Sequence, residues 1–161
     1  YREDGAVQVE LAAQRAGTQW IRGWLAERAG SLIGVTGQTN GAPISKLLEQ
    51  LTLDHERGED EEDYSPVPVT PWRNADLTGA SGIVFDAIRR NLIAHHQQAP
   101  LDRAAAMAIT KKSGDTWLFD RLNSPVDISP LIAFTAAYWA LTEREAPEAV
   151  SEYETGRLEV I

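Results

Sequence analysis

The segment "SPVDISPLIAFTAAYWAL" (124–141) constrains this chain most, because it reads as an apolar, aromatic-rich helix with one acidic residue, Asp127, at its mouth. Ser129 and Pro130 together make a helix start, and the pattern predicts a helix from Ser129 to about Thr142. Ser129 can cap that helix by itself, so Asp127 has two readings. It is helix-start chemistry that complements the positive end of the helix dipole. Or it is a metal ligand held on a rigid mount.

The patterns ahead of that helix alternate in type. "AVQVEL" (6–11) reads as a half-buried strand, with Val7, Val9 and Leu11 on one face. Thr18 is placed to cap a helix that carries Trp20, Ile21, Trp24 and Leu25 and ends near Gly30. "SLIGVTG" (31–37) reads as a buried strand, and "APISKLLEQL" as a helix with Ile44, Leu47, Leu48 and Leu51 inward. The three prolines of "SPVPVTPW" (65–72) allow an edge or extended segment around Val67 to Thr70. The longest helix is expected over about Ala80 to His95, burying Ile83, Val84, Ala87, Ile88 and Leu92. Pro100 opens a short helix through Met107, and "ITKKSGDTWLFDR" (109–121) predicts a hairpin turning at Ser113-Gly114. Strand and helix in alternation, in a chain of 161 residues, predict one α/β domain with a largely covered sheet.

Charge and composition narrow the function classes. A net charge of −9 argues against indiscriminate nucleic-acid binding, which needs positive potential. Much of it lies in "DHERGEDEED" (54–63), where Arg57 is the one basic residue that is always charged, so 54–64 is expected to be a solvated acidic loop. Between Leu77 and Asn123 the balance reverses: Arg89, Arg90, Arg103, Lys111, Lys112 and Arg121 outnumber the aspartates and allow a mildly basic face. The absence of Cys removes disulfides and thiolate metal sites. No apolar run is long enough to span a membrane and no signal peptide is visible, so a cytoplasmic setting is expected. His95 and His96, read as helical neighbours, point about 100° apart and make a poor chelating pair. Neither a GxSxG motif nor a Gly-rich phosphate loop occurs. The tryptophans at 20, 24, 72, 117 and 139 read mostly as core. A lone Asp127 cannot build a two-metal site.

"VDISPLIAFTAAYWAL", preceded by "KKSGDTWLFDR", resembles the C-terminal end of the large terminase subunit of tailed phages, most of all those of actinobacterial hosts and their prophage copies. "VQVELAAQRAGTQWIRGWLAERA", "IGVTGQTNGAPISKLLEQL", "SGIVFDAIRRNLIAHHQQAPLDRAAAMA" and "YETGRLEVI" follow the family order, so the likeness covers nearly the whole chain. It implies a ribonuclease H-like nuclease domain, an α/β fold with a mixed central sheet flanked by helices. Such a domain cuts concatemeric double-stranded DNA into genome units while an N-terminal ATPase drives packaging. The resemblance further implies two Mg²⁺ or Mn²⁺ ions on three acidic positions, the last of which matches Asp127. The middle position falls on Thr36, in Val35-Thr36-Gly37, where the family pattern is V-D-G. The first is expected on a strand before the chain's start, as is the ATPase; Asp4 lies in the turn instead. Expected partners are double-stranded DNA, the portal and the small terminase subunit, with Lys111, Lys112, Arg89 and Arg90 as candidates to contact the phosphate backbone. A monomer is expected in isolation. The alternatives are a catalytically inactive terminase-like module from a decayed prophage, contacting DNA or portal without cutting, and an unrelated α/β interaction domain.

Overall fold

The short apolar runs of this sequence do become strands and the amphipathic stretches between them become helices. A computed structural model describes residues 6–39, 41–58, 65 and 67–145, with Asn74, Arg144 and Glu145 described by backbone alone. Its elements are β1 (Val7–Val9), α1 (Gln19–Ala26), β2 (Val35–Gln38), α2 (Ser45–Glu56), β3 (Val69–Trp72) and α3 (Asn74–Arg89). They continue as β4 (Ile93–His95), α4 (Ala99–Met107), β5 (Thr110–Ser113), β6 (Thr116–Phe119) and α5 (Ser129–Glu145). The chain is a mixed α/β protein. None of its described helices is long and apolar enough to cross a membrane.

Among the described residues the strands form three two-stranded sheets, not one central sheet. β1 runs parallel to β4 with Val7 opposite Ile93, and β2 runs parallel to β3 with Val35 opposite Val69. β5 and β6 form the expected antiparallel hairpin, with Gly114 at φ 61° in its turn. The expectation of a single mixed sheet is corrected to this extent: β1–β4 and β2–β3 are not hydrogen-bonded to each other. Periodicity marks which segments are strands but carries no information about which edges meet.

Helix α5 ties the pieces together. Ile128, Leu131, Phe134 and Tyr138 join Val84, Ala87, Leu101 and Ala104 in the main core, with Val7, Val9, Ile93 and Phe119 packed around them. A second cluster sets Ala136 of α5 against Trp72 and Ala80. α3, α4 and β2 all pack on α5. Gly37 allows α2 close to β2, since a Cβ there would lie 2.8 Å from Leu48 Cδ1.

Several sequence boundaries shift for identifiable reasons. α3 begins at Asn74, where the Asp76 carboxylate accepts the Arg73 N–H at 2.8 Å. It ends because Asn91 adopts φ 57° and Leu92 N–H turns back to the Ala87 carbonyl at 2.9 Å. The chain then enters β4, so His95 lies on a strand and His96 just beyond it, not on a helix end. The buried stripe of α3 is Ala80, Ser81, Val84 and Ala87, while Ile83, Ile88 and Leu92 are exposed. Small residues on that stripe bring α3 close to α5. Thr18 makes no side-chain cap for α1. Trp72 is fully buried, whereas Trp20, Trp24, Trp117 and Trp139 are only half-buried.

The acidic loop also begins later than expected. Asp54 to Glu56 belong to α2, and Asp54 is buried at 2% exposure, held by Arg22 Nη2 at 2.6 Å and Arg57 Nη1 at 3.2 Å. Residues 59–64, Asp4 and the tail "YETGRLEVI" lie outside the described residues. Removing one cation from a buried carboxylate costs more than removing the carboxylate, because the arginines can turn to water. Arg22→Met is therefore expected to destabilise by about 2 kcal/mol and Asp54→Asn by about 1 kcal/mol, as measured by urea unfolding. A larger penalty for Asp54→Asn would contradict this ordering.

Candidate functional site

Three segments converge where β1 and β2 end and α5 begins. The stretch after β1 brings Gln14 and Arg15, β2 brings Thr36 and Gln38, and the approach to α5 brings Arg121, Asp127 and Ser129. Together with apolar neighbours such as Trp20, Ile44 and Pro130 they line a cleft of about 410 Å³. That volume suits a small ligand or a segment of a larger one.

Asp127 serves the helix start with one carboxylate oxygen and reaches the cleft with the other. Its Oδ1 accepts the Ser129 N–H at 2.9 Å and the Ser129 hydroxyl at 2.6 Å, which fastens the start of α5. Its Oδ2 lies 3.5 Å from Gln14 Nε2, at the cleft. The Ser129 hydroxyl and then its N–H hold the carboxyl below the ordinary aspartate value, against the opposing effect of burial, with Arg121 and Gln14 helping. The side chain is therefore ionised and preoriented.

Thr36, from the middle of β2, lines the same cleft. Its Oγ1 is buried with no hydrogen-bond partner among the described residues, and so is Nε1 of Trp72, also at the cleft. Each such orphan costs about 1–3 kcal/mol, so this floor holds unspent hydrogen-bonding capacity. Arg121 lies within a turn closed by Asp120 and Ser124. The Asp120 carboxylate accepts Asn123 Nδ2 at 2.6 Å and the N–H groups of Leu122 and Asn123, and Ser124 Oγ donates to the Asp120 carbonyl. The Asn123 side chain is the main cause of a lowered Asp120 pKa, which burial opposes.

The four basic residues expected to meet DNA are elsewhere. Lys111 Nζ sits 3.8 Å from Asp120 Oδ1, and Lys112 is exposed on β5 opposite Trp117. The Arg89 guanidinium lies 5.8 Å from the Phe85 ring, and Arg90 is exposed at the end of α3. None of the four lines the cleft, and β6, the partner strand of β5, packs on α3 with Phe85 and Trp117 edge to face at 5.8 Å. The cations at the cleft are Arg15 and Arg121, and neither has a salt bridge among the described residues. Arg121 sits in the quoted "FDR" run, but Arg15 and Gln14 carry no motif that would have singled them out.

The donor set does not fit two divalent ions. Asp127 is the single carboxylate among the cleft residues, one of its oxygens is committed to Ser129, and Thr36 is neutral. Among the described residues no three acidic or imidazole side chains gather into a metal-sized group. No protein-family model, curated protein or solved structure matches this chain.

Asp127→Ala is expected to cost about 1 kcal/mol near neutral pH, and Asp127→Asn less, because an amide oxygen still accepts both Ser129 bonds. A depressed folded pKa means the ionised form is favoured by folding. This stabilisation is complete above the unfolded value of about 3.9 and is lost as pH falls through the folded one. Urea unfolding of the three proteins across that range is the check. An alanine penalty that grows on acidification would contradict it.

Proposed function

We propose that this chain is a nuclease domain of the tailed-phage large terminase type, ribonuclease H-like in architecture, acting in endonucleolytic cleavage of concatemeric double-stranded DNA during genome packaging. The observation that most supports the reading is that Asp127 and Thr36, remote in sequence, line one cleft at the carboxyl ends of β1 and β2. Those are the two positions in this chain where the resemblance calls for metal ligands. Arg15 and Arg121 supply local positive potential inside an acidic protein, and that is what a phosphate backbone needs. In this reading the guanidiniums hold phosphate oxygens while Gln14 and Ser129 fix the Asp127 carboxylate beside them. The portal and the small terminase subunit as partners, and action in the bacterial cytoplasm, belong to the same proposal.

In the family, two Mg²⁺ or Mn²⁺ ions would activate the attacking water and stabilise the leaving group, and the donor set here falls short of holding them. That shortfall favours a second reading, a terminase-type domain that engages DNA or portal without cutting. Nicking of supercoiled plasmid in Mn²⁺ separates the two. On the nuclease reading, Thr36→Asp raises nicking roughly tenfold or more by restoring a second carboxylate, and adding Asp127→Ala removes the gain. DNA binding retained without any gain in nicking selects the non-cutting reading. Neither binding nor nicking in any of the proteins contradicts both.

A further inference from the structure

We infer that Arg103 forms a second phosphate subsite beside Asp127, in a hollow separate from that of Arg15 and Arg121, and that a bound DNA strand passes Asp127 from one space to the other. The inference rests on the DNA reading of the cleft and extends the path of the strand beyond it. The second hollow, of about 450 Å³, opens where α4 begins and the approach to α5 passes it. Arg103, Pro100, Pro125 and Val126 line this hollow, while Gln14 and Asp127 belong both to it and to the cleft. The two spaces therefore meet at the Gln14–Asp127 contact, where Nε2 and Oδ2 lie 3.5 Å apart.

The elements that carry the hollow are fastened to one another. The side chain of Gln98, just ahead of α4, accepts the Leu11 N–H at 2.7 Å and donates to the Leu11 carbonyl at 3.0 Å. These bonds tie the start of α4 to the segment that delivers Gln14. α4 itself is anchored by Leu101 and Ala104 in the main core. Arg103 stands about 200° around the helix from Leu101, on the exposed side. Across the hollow, Pro125 and Val126 lead to Asp127, whose Oδ1 is committed to Ser129.

The charged residues lining the hollow are Arg103 and Asp127, and the other side chains there are apolar apart from Gln14. Arg103 has no ion pair among the described residues, and the adjacent carboxylate, Asp102, lies 3.8 Å from His95 Nδ1. An arginine so placed presents a planar fork of donors that matches the oxygens of a phosphate.

A polymeric anion accounts for cations in both spaces. Asp127 repels a phosphate brought to it, so guanidiniums are needed along the strand on each side of it. Each DNA strand carries a charge about every 3.4 Å along its axis, so a strand that fills the cleft has further phosphates just outside. The hollow at Arg103 is the adjoining space that can take one of them. A mononucleotide in the cleft would reach Arg15 and Arg121 alone.

Fluorescence anisotropy of a labelled DNA duplex with the full chain, across a series of salt concentrations, tests this. Affinity falls as salt rises, with a slope set by the number of phosphates neutralised. Arg103→Gln should weaken binding by roughly threefold to tenfold, equally for two unrelated sequences, and reduce that slope by about one. Arg103→Lys keeps the charge and should keep the slope. Arg121→Gln, in the cleft, should lower the slope by a similar step, and the two steps should add in the double variant. Arg103 is exposed, so its variants should fold as the wild type does, which circular dichroism checks. An unchanged slope in Arg103→Gln, or the same loss in Arg103→Lys, overturns the second subsite. If Arg121→Gln still lowers the slope in that case, the DNA reading of the cleft stands without it. No binding of DNA by the wild-type protein overturns both.

Discussion

Burial of α5 is the constraint around which the other elements are arranged, because a helix this apolar has no face to offer water. Fully burying a side chain such as Leu131 or Phe134 contributes roughly 1.5–3 kcal/mol, and α5 places both in the main core, with Ile128 just ahead of its first residue beside them. α3 meets it through Ala80, Val84 and Ala87, residues small enough for close approach, and α4 does so through Leu101 and Ala104. The helix start is then fixed by Asp127, whose carboxylate satisfies the Ser129 N–H. One residue thus serves the helix with one oxygen and the cleft with the other. The helix start and the carboxylate at the cleft are the same piece of chain.

On the proposed reading, local electrostatics would let an acidic protein attract phosphate. Net charge describes the far field, whereas a cleft with low-dielectric walls concentrates the potential of the few charges that line it. Here those charges are Arg15, Arg121 and one anion, Asp127. Arg15 lies 5.2 Å from the centre of the Trp20 ring, which keeps the guanidinium at the rim. The basic region formed by Arg89, Arg90 and Lys112 lies beside exposed Phe85 and Ile88, a surface of different character.

Local signals were legible in the sequence where one segment decides its own fate. The α5 start, the Pro100 helix and the Gly114 hairpin all appear where turn and cap chemistry placed them. Thr36 and Asp127 line one cleft, and no local pattern in either segment links them. What failed was non-local or depended on one backbone angle. Asn91 ends α3 by adopting a left-handed conformation, which polar periodicity does not reveal, and β4 was read as helix in consequence. Ile83 and Ile88 looked like core by spacing, but smaller side chains won the contact with α5. Asp54 looked solvated until its two arginines, one from α1, came into view. Arg15 was invisible as a site residue because its role depends on where a loop returns.

The division of the sheet beside α5 is the claim on which the cleft depends. Native-state hydrogen exchange at neighbouring amides measures it most directly, since a paired peptide group and an edge one sit one residue apart. Val9 and Gly37, facing β4 and β3, should be protected, while Gln8 and Thr36, on the outer edges, should exchange on the order of a hundredfold faster. Equal protection of all four amides would mean that β1 and β2 already share a continuous sheet, and would contradict the structure of the site described above.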